Sequence, residues 1–229
     1  METLANGFTL ELCPGAFPLS TDSMALSGFV RLSREARVLD LGSGCGTLGL
    51  LLCAAYPDCA VTGIELDERA HRMALENARA NQLTARLSSI CADWDATPSL
   101  VAPGSFSCCV SNPPYFSGGL QSKTLPNARH EGANSMESLF LAASWALRWG
   151  GGFYLVHRPE RLAELCAVAS RHRLEPKRLC LLRHREGGPV TLLLLACRKG
   201  AKPGLQWEEV CLFGADGTPT EYYRNLYHL

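Results

Sequence analysis

The chain has 229 residues, of which 47% are hydrophobic and 19% are charged, so it can bury one substantial core and is too apolar to be disordered overall. Its formal net charge is zero, which argues against a protein held to nucleic acid by bulk charge. The charge is uneven: residues 1–110 carry 7 basic and 12 acidic side chains, a net of −5, and residues 111–229 carry 15 and 10, a net of +5.

Apolar runs that predict strands alternate with amphipathic stretches that predict helices. In chain order, we expect a strand at 37–41, a helix at 48–55, a strand at 60–65, a helix capped by Asp67 and ending near 81, strands at 86–91 and 106–111, a helix at 135–148, a strand at 153–157, a helix after Pro159 to about 172, and strands near 178–182 and 190–197. This alternation predicts an α/β fold with a single doubly wound, mostly parallel, seven-stranded sheet. The short connection 186–189 predicts a hairpin and therefore a terminal antiparallel strand.

The first strand ends in Asp40-Leu-Gly-Ser-Gly-Cys-Gly46. Gly42, Gly44 and Gly46 let the backbone turn sharply and approach a ligand, and the following helix points N–H groups at it. Dehydrogenases that bind a nucleotide use a related loop, and a plain strand-to-helix turn is a further interpretation.

The next two strand ends each carry a carboxylate. Glu65 lies about twenty residues beyond the glycine loop, the spacing at which an acidic residue accepts ribose hydroxyls. Asp93 follows the third strand and can accept from an adenine amino group, although it can equally cap the next turn. The fourth strand ends in Asn112-Pro113-Pro114-Tyr115.

Cysteine and histidine usage favours an intracellular protein without a metal. The eleven cysteines form no Cys-x-x-Cys pair and several lie in apolar runs, so we expect reduced, buried thiols. The six histidines are scattered singly, which predicts no metal site. No basic, apolar leader follows Met1, and the longest apolar run, 192–197, is too short to span a bilayer. A cytoplasmic location and no membrane partner are expected.

These motifs, in this order and at these separations, resemble the class I S-adenosylmethionine-dependent methyltransferases over roughly residues 36–197. The resemblance implies a Rossmann-like methyltransferase fold and S-adenosylmethionine as the cofactor. It places the following residues at the cofactor: Thr21, Asp40, Gly42, Gly44, Gly46, Glu65, Asp93 and Asn112.

The Asn-Pro-Pro-aromatic motif is similar to that of enzymes that methylate a planar exocyclic nitrogen, such as adenine N6 or a glutamine amide. The lone pair of such a nitrogen is delocalised, so it attacks poorly until the amino group rotates or pyramidalises. The Asn112 side chain and the Pro113 carbonyl can accept its two hydrogens, Pro113 and Pro114 hold the acceptors rigid, and Tyr115 can stack on an extruded base. We therefore predict that Asn112, Pro113, Pro114 and Tyr115 are catalytic.

The chain is also similar to the small bacterial family of valine-tRNA adenine-N6 methyltransferases, which modify the adenine just 3′ of the anticodon. Members begin with a segment like residues 17–26, in which a pair like Thr21-Asp22 leads into an apolar helix beside the cofactor; helix capping is the simpler interpretation of that pair. A loop like residues 116–134 follows the motif and can act as a lid over RNA or as an ordinary connection. The predicted acceptor contacts are Tyr115, Phe116, Lys123, Arg129 and His130.

This resemblance favours an RNA partner, most simply tRNA, for a monomer or weak dimer. We expect residues 1–35 to pack on the cofactor site, residues 36–200 to form the methyltransferase domain and residues 201–229 to extend it. A larger release-factor or DNA methyltransferase is disfavoured, because some 37 residues precede Val38 and no recognition domain is evident. Two alternatives stay open: an N-methyltransferase for a protein glutamine or another amine, and a non-catalytic RNA-binding module. The arginines between Arg148 and Lys202 predict either a solvated face or a phosphate-binding patch.

Overall fold

A computed structural model of the chain describes residues 2–4, 6–14, 19–114 and 135–227. Within these ranges strands and helices alternate from Thr21 to Arg185, with single turns of 3-10 helix at Trp94–Ala96 and Pro159–Arg161. In chain order they are β1 (Glu2–Thr3), β2 (Thr9–Leu10), α1 (Thr21–Phe29), β3 (Arg37–Leu41), α2 (Thr47–Ala55), β4 (Ala60–Glu65), α3 (Glu68–Ala80), β5 (Leu87–Cys91), α4 (Thr97–Leu100), β6 (Phe106–Ser111), α5 (Met136–Ala146), β7 (Leu147–His157), α6 (Leu162–Arg171), β8 (Leu174–Arg185), β9 (Val190–Lys199), β10 (Gln206–Phe213) and α7 (Glu221–Tyr227).

Eight strands form the main sheet, in the order β10-β8-β9-β7-β6-β3-β4-β5. Neighbours are parallel except where β9 runs against β7 and β8. The α/β class, the mostly parallel sheet and the antiparallel hairpin are therefore confirmed. β1 and β2 form a separate two-stranded ribbon near the start of the chain.

The predicted strand count of seven is wrong, and the antiparallel strand is not terminal. β9 lies inside the sheet, and the edge is β10, which pairs in parallel with β8. The sequence gives a weak signal for β10 because its first four residues are exposed and carry Trp207, Glu208 and Glu209. Glu209 accepts two hydrogen bonds from Arg183 of β8, at 3.2 and 3.0 Å, so partners on the neighbouring strand help to hold this edge.

Several elements have different bounds from those predicted: β8 spans Leu174–Arg185 and not 178–182, and β9 ends at Lys199 and not at 197. α5 ends at Ala146, two residues before the expected end, and β7 begins at Leu147, six residues before the expected start. The strand runs through Gly150, Gly151 and Gly152. A Cβ atom on Gly152 would lie 2.8 Å from the Tyr154 ring, so glycine makes room for an aromatic side chain there.

The apolar core lies on both faces of the sheet. The run from Leu192 to Leu195 divides between them, because alternate side chains of a strand point in opposite directions: Leu192 and Leu194 join one cluster, and Leu193 and Leu195 the other. Helices α1, α2, α3 and α7 contribute side chains to the first cluster, and α5 and α6 to the second. Most cysteines are buried in these layers and all eleven are free thiols, as expected.

Substitution of Phe153 tests whether the second cluster stabilises the fold. Phe153 is fully buried on β7 and packs edge-on against Phe140 of α5, with ring centroids 5.1 Å apart. We expect Phe153→Ala to lower the free energy of unfolding by about 3–5 kcal/mol, because it removes buried area and leaves a cavity. The matched control is Trp207→Ala on β10, where the side chain is 66% exposed, and a change below about 1 kcal/mol is expected. Urea denaturation measures both, and equal losses would contradict the assigned core.

Candidate active site

The carboxyl ends of β3, β4, β5 and β6 lie side by side at one edge of the sheet. β4 pairs with one side of β3 and β6 with the other, so the order of strands reverses at β3. In open α/β sheets, ligands bind in the crevice at such a reversal. The fold therefore places Asp40, Glu65 and Asn112, which lie at three different strand ends, around one crevice.

The glycine loop between β3 and α2 has a backbone that other residues rarely adopt. Gly42, Gly44 and Gly46 have φ angles of 77°, 55° and 83°. A Cβ atom on Gly42 would lie 3.2 Å from the Trp94 ring, and one on Gly46 would lie 3.3 Å from Cβ of Ala74. On Gly44 it would meet no described atom within 4 Å. Gly42 and Gly46 thus permit close packing, whereas Gly44 borders open space that a ligand can use.

Glu65 holds this loop in place. Its Oε2 accepts from the Gly44 amide at 2.7 Å and its Oε1 from the Asp67 amide at 2.8 Å. The amides of Gly42 and Ser43 donate to the Ile64 carbonyl at 2.9 and 3.1 Å. Each carboxylate oxygen keeps a further lone pair, so Glu65 can organise the loop and still accept hydroxyl groups from a ligand.

Asp40 is a buried acid beneath the loop, with 2% of its surface exposed. Burial, and then the negative charge of Glu65, raise the pKa of Asp40 to about 8. Among the described residues, Oδ2 of Asp40 and Oγ of Ser43 are buried without a hydrogen-bond partner. Unsatisfied buried polar atoms are costly, so a polar or cationic ligand that reached Asp40 would satisfy one of them.

Asp93 performs the capping role that the sequence left open. Its Oδ1 accepts from the Asp95 amide at 2.9 Å and begins the 3-10 turn after β5. The neighbouring Trp94 supports the Gly42 turn, and its indole donates to Oγ of Ser138 on α5 at 3.0 Å. Asp93 lies beyond a strand end at the same edge of the sheet, so its predicted contact with an adenine is kept as a proposal.

The end of β6 is joined to the end of β3. Oγ of Ser111, the last residue of β6, donates to the Leu41 carbonyl at the end of β3, at 2.7 Å. Asn112 follows and is partly buried, and its Nδ2 donates to Oγ of Ser23 on α1 at 3.1 Å. Pro113 is buried and Pro114 is exposed. This arrangement holds the amide by its nitrogen end and leaves its carbonyl oxygen as an acceptor.

Five predicted contacts lie outside the described residues: Tyr115, Phe116, Lys123, Arg129 and His130. Thr21 is described and lies in the first turn of α1, but it is not the helix cap. Ser20 caps α1, since its Oγ accepts from the Ser23 amide at 3.3 Å. Oγ1 of Thr21 is hydrogen-bonded to the Tyr227 hydroxyl at 3.1 Å.

Sequence reasoning missed three residues of this region: Ser23, Trp94 and Tyr227. The stretch 20–23 is Ser-Thr-Asp-Ser, so the polar cluster is visible in the sequence, but the member that reaches Asn112 is not. Tyr227 lies 206 residues beyond Thr21, and no local pattern connects them.

Two surface depressions differ in their position. A groove of about 340 Å³ lies at the carboxyl edge beside α1 and includes Thr21, Arg158 and His184 in its lining. A depression of about 380 Å³ lies at the opposite edge, where β8 begins and β9 ends, and includes Trp149 and Arg173. Thr21, in the lining of the first, lies on the turn of α1 that also carries Ser23, the partner of Asn112, whereas none of the described candidate catalytic residues lines the second.

Several basic side chains of the second half are engaged in ion pairs. Arg183 binds Glu209, Arg178 lies 3.8 Å from Glu208, and Arg171 binds Glu137 at 2.5 Å. These contacts favour the structural interpretation of this basic stretch over a continuous phosphate-binding patch, because a paired guanidinium is already partly neutralised.

The residues that the structure describes contain no cluster of three or more side chains suited to a metal ion. No helix among them is long and apolar enough to cross a membrane.

Comparison with known proteins gives a family match and close structural neighbours. The profile of the methyltransferase small domain family matches residues 21–165. The tRNA1(Val) (adenine(37)-N6)-methyltransferase of Aeromonas hydrophila is 30% identical over 217 residues, which cover 92% of this chain and 89% of the relative. The protein of the same name from Porphyromonas gingivalis is 34% identical and covers 78% of this chain and 74% of the relative.

Among solved structures, one titled a "predicted O-methyltransferase" from Agrobacterium tumefaciens aligns with a TM-score of 0.77 at 22% identity, covering 91% of this chain and 96% of that one. The geranyl diphosphate C-methyltransferase of Streptomyces coelicolor aligns with a TM-score of 0.59 at 14% identity, covering 77% and 76%. At these identities the likeness shows the fold, and it confirms the expected Rossmann-like architecture.

Asp40 makes a testable contribution to stability. Its pKa is about 8 in the folded protein and about 4 in the unfolded chain, so folding takes up a proton between these values. The stability that this group contributes is therefore fully present below pH 4 and is lost as the pH rises towards 8. We expect ligand-free Asp40→Asn to exceed the parent in free energy of unfolding by upwards of about 1 kcal/mol at pH 8, and by much less at pH 5.

Urea titrations at both pH values measure this difference. Asp58→Asn is the control, because Asp58 is exposed and pairs with the exposed Arg34 at 3.5 Å. A difference between Asp40→Asn and the parent that does not change with pH would show that Asp40 does not titrate in this window.

Proposed function

The chain belongs to the methyltransferase small domain family and is an S-adenosylmethionine-dependent methyltransferase, and we propose that its acceptor is the N6 amino group of an adenine in tRNA, just 3′ of the anticodon. The observation that carries this proposal is Asn112, held by its amide nitrogen at the strand reversal with its carbonyl oxygen left to accept. The names of the relatives from Aeromonas hydrophila and Porphyromonas gingivalis support the choice of tRNA.

The loop residues fit the cofactor. When bound, S-adenosylmethionine supplies a methyl group activated by a sulfonium centre. The unsatisfied Asp40 carboxyl and the open surface at Gly44 suit its charged amino-acid end, and Glu65 and Asp93 suit the ribose and the adenine. A cationic group near Asp40 would favour the ionised carboxylate and so lower its pKa. Thr21 and Asn112 complete the proposed cofactor contacts.

Asn112 and Pro113 provide the proposed catalysis at the acceptor. Oδ1 of Asn112 and the carbonyl of Pro113 accept the two amino hydrogens and draw the nitrogen lone pair out of conjugation with the ring. Pro113 and Pro114 keep these acceptors fixed, so little reorganisation accompanies the reaction. The methylated nitrogen then loses a proton to water, and no dedicated base is required.

The remaining acceptor contacts are proposed from the motif and the sequence that follows it. Tyr115 and Phe116 are assigned to stacking on the extruded base, and Lys123, Arg129 and His130 to the RNA. The groove that includes Thr21, Arg158 and His184 lies at the carboxyl edge of the sheet and offers a further surface for a nucleic acid. We also propose that residues 1–35, 36–200 and 201–229 act together as one domain, as a monomer or weak dimer in the cytoplasm.

The acceptor is tested by mass spectrometry of nucleosides from tRNA that lacks the modification, before and after incubation with the protein and S-adenosylmethionine. We expect N6-methyladenosine to appear, and digestion with sequence-specific nucleases to place it just 3′ of the anticodon. The alternative is a glutamine amide or another amine, because the same carbonyl pair can bind any planar amino group. A labelled acceptor in a cell extract that survives RNase treatment would favour that alternative and contradict the proposal.

Asn112→Ala tests the mechanism. We expect kcat to fall by about 10²–10³-fold at saturating cofactor, because one aimed acceptor is lost. Asn112→Asp keeps an acceptor oxygen of the same reach and should retain more activity than Asn112→Ala. Single-turnover methylation of tRNA measures both rates, and an alanine variant as fast as the parent would contradict the assigned role.

A further inference from the structure

The Asn112 side chain must lie in one place for its carbonyl oxygen to accept from the acceptor amino group, because hydrogen bonds weaken steeply with distance and angle. The amide nitrogen can donate two hydrogen bonds to groups of the protein. A group that binds the amide therefore restricts where this side chain lies.

The group that binds the nitrogen end is the Ser23 hydroxyl, 3.1 Å from Nδ2 of Asn112. Ser23 is 7% exposed and lies in the first turn of α1, 89 residues from Asn112 in sequence. Ser27, one turn later on the same helix, donates its hydroxyl to the Met24 carbonyl at 2.8 Å, which is the usual internal bond of a helical serine. Oγ of Ser23 lies 3.5 Å from Oγ of Ser20 and also accepts from Asn112, which follows β6, and a purely local role in the helix does not explain this second contact.

The first turn of α1 is itself attached to the end of the chain. The Tyr227 hydroxyl of α7 is hydrogen-bonded to Oγ1 of Thr21 at 3.1 Å. The Tyr227 ring packs on Tyr223 with centroids 4.5 Å apart, and Tyr223 packs on Phe213 of β10 at 4.8 Å. This aromatic stack, Phe213-Tyr223-Tyr227, links the edge strand to the first turn of α1.

We propose that Ser23 is the positioning residue that holds the Asn112 side chain in place beside the acceptor amino group, and that Tyr227 holds Ser23 in register through Thr21. The inference rests on the proposed function for its consequence in catalysis, and on the structure alone for the contact that holds the amide. It gives the C-terminal segment a role in methyl transfer without contact with cofactor or acceptor.

The kinetic experiment is a double-mutant cycle between Ser23→Ala and Asn112→Ala. Loss of this hydrogen bond lets the Asn112 side chain leave its position, so we expect Ser23→Ala to lower kcat by about tenfold while the KM for tRNA and the affinity for cofactor stay near those of the parent. In the Asn112→Ala background, Ser23→Ala should have no further effect. Ser27→Ala is the matched control and should leave kcat unchanged.

Independent effects of the two substitutions would overturn the proposal, and so would an equal loss in Ser27→Ala. Tyr227→Phe removes only the hydroxyl that reaches Thr21 and should lower kcat in the same direction as Ser23→Ala, by a smaller factor. Tyr223→Phe keeps the aromatic stack and should match the parent. If Tyr227→Phe also had the kcat of the parent, the proposed contribution of the C-terminal segment to methyl transfer would be contradicted.

A spectroscopic measurement separates this inference from the proposed function, because it needs no acceptor. In ¹⁵N-labelled protein, the side-chain NH₂ signals of Asn112 are identified by their absence in Asn112→Ala. We expect Ser23→Ala to move these signals and Ser27→Ala to leave them in place. A shift without tRNA methylation by the parent would retain the positioning role and reject the acceptor, whereas unmoved signals in Ser23→Ala would reject the positioning role whatever the acceptor is.

Discussion

The reversal of strand order at β3 is the constraint on which the rest of the site depends. β4 and β6 pair with opposite sides of β3, so the segments that follow these three strands meet in one crevice although they are far apart in sequence. Two hydrogen bonds fix their mutual positions: Glu65 accepts from Gly44, and Ser111 donates to the Leu41 carbonyl. The first bond joins the end of β4 to the glycine loop. The second joins the end of β6, which precedes the Asn-Pro-Pro segment, to the end of β3.

Two polar groups at this crevice, the Asp40 carboxyl and the Asn112 amide, differ in how they are bound in the ligand-free protein. Asp40 is buried, its Oδ2 has no hydrogen-bond partner among the described residues and its pKa is raised, which is unfavourable for the ligand-free protein. A polar ligand that reached this carboxyl would supply a partner, so part of its burial penalty would be recovered on binding. Asn112 differs, because Ser23 already satisfies one end of its amide and leaves the other end directed. Asp40 thus favours ligand binding, and Asn112 is held in position before a ligand binds.

Sequence patterns predicted much of this fold because they are local. The strands β3, β4 and β6 have the predicted bounds, since short buried runs ending at turns depend little on distant partners. The helix cap at Asp67 was predicted for the same reason, and the structure confirms it. Predictions failed where contacts between residues distant in sequence determine the local structure. β10 forms because β8 offers pairing and Arg183 binds Glu209, and the cap of α1 is Ser20 although Thr21 and Asp22 are also suitable residue types.

The sequence by itself determined which chemistry is available: a flexible glycine loop, carboxylates at successive strand ends and a rigid amide motif, because residue type and spacing decide these. Only the tertiary structure decided how that chemistry is held. The contacts from Asn112 to Ser23 and from Thr21 to Tyr227 span 89 and 206 residues, and which of several equivalent hydroxyl groups makes them depends on helix packing and not on any local pattern. The same holds for the basic residues of the second half, because the sequence shows their charge, and only the folded sheet shows that Glu208 and Glu209 lie beside them.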